Sequence, residues 1–145
     1  MLMHLIFCLE RIPTEEQTPA ATLRYYRHNR GLTTRQLAES VGIVPATLLM
    51  YERDKFPIPY QTALDIAKTL EIDKKLLFDN FARFMDAPYF EILRSVRKEY
   101  NLSQKDFADK AGIAFSIYAK WEIGSRQPSR KMYHQLADAF PELKV

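Results

Sequence analysis

The chain contains one cysteine, four glycines and three histidines, and it lacks any apolar run of the ~18–20 residues that a bilayer-spanning helix needs. Each scarcity excludes something. Cys8 alone forms no internal disulfide, which suits a reducing cytosol rather than a secreted scaffold. With few glycines and few stretches of alternating hydrophobicity, the half-buried strands of a sheet protein find no support, and an all-α fold is predicted. His4, His28 and His134 have no metal-ligand spacing among themselves or with Cys8. Neither a glycine-rich phosphate loop nor a nucleophile motif is present, so the chain reads as neither an enzyme nor a cofactor- or metal-binding protein. The apolar start, Leu2 to Leu9, has the look of a secretion-signal core, but no basic stretch precedes it and Glu10-Arg11 follows directly. Residues 1–19 are therefore read as an extension, with a short strand or an oligomer contact expected in it.

What the chain does have is core material: 47% hydrophobic and 12% aromatic residues, too apolar for general disorder. Its 145 residues make one ordinary domain or two small ones. The net charge of +3 and the pI near 9.0 are compatible with a polyanionic partner. The excess is unevenly placed. Residues 1–19 carry one basic and three acidic groups, residues 20–87 ten and eight, and residues 88–145 ten and seven.

The decisive pattern is internal repetition. At an offset of 70 residues, Leu23-Arg24 falls on Leu93-Arg94, Arg27 on Arg97, and Leu32-Thr33 on Leu102-Ser103. Leu37-Ala38 falls on Phe107-Ala108, Gly42-Ile43 on Gly112-Ile113, Tyr51-Glu52 on Trp121-Glu122, and Ile66-Ala67 on Leu136-Ala137. Chemical type survives at every step, so a unit of roughly 60–70 residues is duplicated. Within each unit the spacing predicts short helices. The first ends near Gly31; Thr33-Thr34-Arg35-Gln36 and Ser103-Gln104-Lys105-Asp106 form capping-box starts for the second; Gly42 and Gly112 serve as tight turns; and third helices follow over 44–52 and 114–122. Further helices are predicted near 59–70, over 73–86 capped by Asp73, from Pro88 onward, and over 129–140. This gives an N-terminal extension (1–19), a five-helix domain (20–87) and a four-helix domain (88–145).

The string Leu-Thr/Ser-x-x-x-Leu/Phe-Ala-x-x-x-Gly-Ile, followed nine residues past the glycine by Tyr/Trp-Glu, resembles the Cro/repressor-type (XRE-like) helix-turn-helix family. The resemblance covers about 20–79 and 90–140, and the second unit matches more closely. It implies a lambda-repressor-like fold in which the third helix of each unit enters the major groove of double-stranded DNA. It also implies an internal ion pair in each unit, Arg27 with Glu52 and Arg97 with Glu122.

By family position, base contact falls to Ala46, Thr47 and Met50, beside Val44 and Pro45, in the first unit. In the second it falls to Phe115, Ser116, Ile117 and Lys120, beside Ala119. Bidentate reading wants Arg, Lys, Asn or Gln, of which the first set has none, so the second unit is expected to read better. Phosphate contact is expected from Thr33, Thr34, Arg35, Ser103, Gln104 and Lys105 at helix starts, and from Arg53, Lys55, Arg126, Arg130 and Lys131 beyond the reading helices. The resulting expectation is a cytoplasmic, nucleoid-associated regulator, with the N-terminal segment or the 73–86 helix offering homodimer contacts. The competing expectation is an interaction module (antitoxin, antirepressor or scaffold) that has kept the fold and lost DNA readout.

Overall fold

A computed structural model describes residues 18–144. The chain divides into two compact units, one ending at Asp79 and the other starting at Asn80. The first contains α1 (Pro19–Asn29), α2 (Thr34–Val41), α3 (Pro45–Glu52), α4 (Tyr60–Leu70) and a 3₁₀ turn (Lys74–Leu77). The second contains α5 (Asn80–Asp86), α6 (Tyr89–Glu99), α7 (Gln104–Lys110), α8 (Phe115–Glu122), α9 (Arg130–Ala139) and a closing 3₁₀ turn (Pro141–Leu143). Among the described residues the regular structure is all helical, as the composition predicts.

Capping chemistry sets the boundaries in both units. Thr18 caps α1 through its hydroxyl, with Pro19 inside the first turn where a missing N–H costs nothing. Thr33 and Gln36 form a full capping box on α2, and the Ser103 hydroxyl accepts from the Asp106 amide on α7. Ser129 does the same for α9 with Met132. Three left-handed positions recur at the 70-residue offset: Gly31 and Asn101, Gly42 and Gly112, Asp54 and Gly124. Those at Gly42 and Gly112 make the tight turn between the second and third helices, where a φ near +70° would strain a side-chain-bearing residue.

In the first unit, α2 packs on α3 and α4, and the 3₁₀ turn closes against α1 and α4. Leu23, Leu37, Ala38, Leu48, Ile66 and Leu70 are sealed from solvent there. The second unit repeats the arrangement with a more aromatic interior of Phe107, Tyr118, Trp121, Tyr133 and Phe140. Phe107 and Phe140 stack with ring centroids 3.9 Å apart.

Two expectations need correction. Residues 73–86 are not one helix: Asp73 caps only a 3₁₀ turn, and Phe78 is extended (φ −93°, ψ 133°) so that its ring packs on Tyr60. After that break, α5 belongs with the second unit rather than the first. Phe84 is fully buried beside Tyr89 and Tyr133, and Phe81 and Met85 pack on the same core. The first unit therefore closes with a 3₁₀ turn, and the second opens with an additional helix. The strand or oligomer contact expected within residues 1–19 falls in a segment whose residues 1–17 lie outside the described residues.

Candidate nucleic-acid interface

The third helix of each unit is anchored from behind. Glu52 is buried at the end of α3, where Arg27 Nε and Nη2 both donate to its carboxylate, the latter at 3.1 Å. Arg27 Nη1 also donates to the Leu32 carbonyl at 2.8 Å, tying α1 to the loop that leads into α2. In the second unit Arg97 Nε donates to Glu122 Oε1 at 3.0 Å and Arg97 Nη1 to the Leu102 carbonyl at 3.1 Å. The family-implied pairs thus form in both units, with an asymmetry. Glu52 uses both oxygens, whereas Glu122 Oε2 has no hydrogen-bond partner of good geometry. Tyr118 lies beside the second pair, and burial, then the Glu122 charge, push its hydroxyl well above the ordinary phenol range.

With its inner face held in this way, each helix turns its other face to solvent. On α8, Phe115, Ser116 and Lys120 are exposed and Ala119 is half-buried. Ile117 is half-buried and rests partly against the core of the second unit, on the side of the buried Tyr118 and Trp121. On and before α3, Val44 and Ala46 are exposed, while Pro45, Thr47 and Met50 are half-buried. No side chain caps the first turn of α3 or α8.

Cationic and hydroxyl groups are exposed on the segments before and after these helices, with Asp54 and Asp106 exposed among them. Thr33, Arg35, Ser103 and Lys105 are exposed at the starts of α2 and α7, with Thr34 and Gln104 half-buried beside them. Arg53, Lys55, Arg126 and Lys131 are exposed beyond the third helices. Arg130 is held differently: it is half-buried, with its guanidinium 4.7 Å from the Phe81 ring centroid, so α5 fixes where it sits.

Sequence reasoning passed over Phe56 and Ile123, exposed by 58% and 73% in the loops that leave α3 and α8. A signal was available. At the 70-residue offset Phe56 falls on Arg126 and Ile123 on Arg53, so each unit places an arginine where the other places an apolar side chain.

Two family matches agree with this geometry. Residues 20–81 match a family described as a helix-turn-helix domain, and residues 93–143 match one described as helix-turn-helix. The chain is a tandem helix-turn-helix protein. Its two helix-turn-helix units are of the Cro/repressor type that the motif spacing resembles. The tandem protein is also similar to an uncharacterized HTH-type transcriptional regulator, YqaE, of Bacillus subtilis, at 42% identity over 43 residues. That stretch is 30% of this chain and 37% of the relative, so the chain spans little more than a third of the curated relative it matches. No solved structure matches the tandem helix-turn-helix chain significantly. Among its described residues, no helix is long and apolar enough to cross a membrane.

Proposed function

We propose that this tandem helix-turn-helix protein is a sequence-specific DNA-binding transcriptional regulator acting in the cytoplasm on the nucleoid. One observation carries the reading: α3 and α8 are each locked at their C-terminal ends by an ion pair to a buried glutamate, and each leaves an outward face with exposed cations on the flanking segments. That is the mounting a helix needs to enter a major groove while its flanks meet phosphates. The second unit is the principal reader, because Lys120 can donate to guanine and Ser116 to either groove edge, whereas the exposed face of α3 offers methyl and methylene groups. The phosphate contacts are Thr33, Thr34, Arg35, Ser103, Gln104, Lys105, Arg53, Lys55, Arg126 and Lys131, with Arg130 preset by Phe81. The protein acts as a repressor: two heads in one chain cover a stretch of promoter and exclude polymerase from it.

The test is a gel shift on fragments selected from a random library, repeated over a salt series. Affinity should fall steeply with salt, with a log–log slope of about −0.9 per phosphate contacted. Lys105→Ala should flatten that slope, Gln104→Ala should weaken all fragments alike with the slope unchanged, and Lys120→Ala should weaken selected fragments more than random DNA. No shift even at low salt, accompanied by a co-purifying protein, would overturn the proposal. It would favour the interaction module instead, a reading supported by Val44, which is 64% exposed at the start of α3. A promoter–reporter assay separates repression from activation.

A further inference from the structure

Four of the five large apolar side chains that are exposed among the described residues lie on one kind of surface: the start of a third helix or the loop that leaves it. They are Val44 and Phe56 in the first unit and Phe115 and Ile123 in the second. Ala46 adds a methyl group to the first set. Scattered exposed apolar residues need no explanation, but four that gather at the two ends of the third helices do, although no two of them share a position at the 70-residue offset. Cations lie near them in the chain: Arg53 and Lys55 lie close to Phe56, Lys120 lies five residues along α8 from Phe115, and Arg126 follows Ile123. Exposed apolar side chains with cations along the same stretches of chain fit a polyanion that shows apolar groups between its phosphates. In the major groove the one methyl group on the base edges is the C5 methyl of thymine, which offers an apolar side chain far more contact than the C5–H of cytosine.

We infer that this protein selects its DNA chiefly through thymine methyl groups, with Val44 and Ala46 in the first unit and Phe115 in the second as the contacting side chains. The inference rests on the proposed DNA-binding reading and specifies what that binding recognises. The first unit, which has no side chain suited to bidentate hydrogen bonding at its reading positions, is then a reader of methyl patterns rather than a degenerate head. Selected sites should carry T-rich tracts on the stretch it covers, and guanine should be specified only opposite Lys120.

The experiment uses the full chain and a fragment recovered from the random library. The fragment is amplified once with thymidine and once with deoxyuridine, which removes the methyl groups and leaves every Watson–Crick and phosphate group in place. Deoxyuridine should weaken binding by about fourfold for each methyl contacted, the worth of one buried methyl group. The salt slope should not change, because the phosphate contacts are untouched. Phe115→Ala and the double variant Val44→Ala with Ala46→Gly should each reduce the ratio between the two duplexes. The exposure of Phe115 and Val44 means that their truncation leaves the core intact. Equal affinity for the two duplexes, with binding still steep in salt, would overturn this inference and leave the DNA-binding reading standing. Failure to bind either duplex at low salt would overturn both, and would assign the apolar patches to a protein partner.

Discussion

The Arg97–Glu122 pair offers a sharp test of how the second reading helix is held. Glu122 is 1% exposed, and its single good hydrogen bond comes from Arg97 Nε at 3.0 Å. Arg97→Met leaves a carboxylate in the interior with nothing to balance it, a change that costs about 3–5 kcal/mol. A unit of this size is stable by only about 3–10 kcal/mol, so the variant should stand near the edge of unfolding. Adding Glu122→Leu removes the stranded charge and fills the space with hydrocarbon, and it should recover all but about 1 kcal/mol. That remainder is the lost hydrogen bond from Arg97 Nη1 to the Leu102 carbonyl. The assay comes with the sequence: Trp121 is the chain's single tryptophan and is fully buried in the second unit, so its fluorescence in urea reports this unit specifically. With a slope near the low end of about 1–3 kcal/mol per molar urea, the midpoint should drop by several molar in Arg97→Met and mostly return in the double variant. A single variant that loses less than about 1 kcal/mol would refute the reasoning. So would a double variant as unstable as the single, since the buried charge would then not be the source of the cost.

Three further outcomes are expected. Gly112→Ala should destabilise the second unit by about 1 kcal/mol, read from the Trp121 transition, because φ is +72° while the space around a new Cβ is open; a neutral result would mean that the turn relaxes freely. Phe84→Ala should shift that same transition by about 3 kcal/mol or more, since the ring is fully buried among Tyr89 and Tyr133; no shift would detach α5 from the second unit. Tyr100 donates to Glu142 at 2.7 Å, and that bond, ahead of a backbone bond, holds the Glu142 carboxyl below its usual range. A depressed carboxylate stabilises the fold above its unfolded pKa and loses that contribution as pH falls through the folded value. The advantage of the natural chain over Tyr100→Phe should therefore shrink between about pH 6 and about pH 3, and a constant difference would contradict the assignment.

The duplication was legible because each matched position is under a different physical demand. Gly42 and Gly112 meet a left-handed backbone, Ala38 and Ala108 are fully buried, and Glu52 and Glu122 are buried carboxylates that each receive an arginine. An offset that satisfies turn, packing and charge together marks a true repeat rather than a coincidence of composition. The segment 73–86 was misread for an equally physical reason. Leu76, Leu77, Phe78, Phe81, Phe84 and Met85 run on without glycine or proline, so periodicity shows no stop. The stop comes from tertiary packing: Phe78 leaves the helical path to reach Tyr60, and the chain resumes as α5 in the other core. On α8 the exposure of Phe115, Ser116 and Lys120 follows from helical spacing away from Tyr118 and Trp121, and Ile117, at the edge of that face, is half-buried against the core. Phe56 and Ile123 escaped because an exposed apolar residue in a loop carries no periodic signature, and only the swapped arginines in the sister repeat marked them.

Helix α5 separates two boundaries that the sequence presents as one. Duplication suggests a cut after Ala87, yet packing places the division after Asp79. A gene fragment opening at Pro88 would express a half whose interior lacks a wall, with a phenyl-sized hole open to water beside Tyr133. The N-terminal fragment from the same cut would trail a greasy, ownerless helix and invite aggregation. Splitting the protein after Asp79 instead keeps each interior whole and gives two pieces suited to asking which head does what.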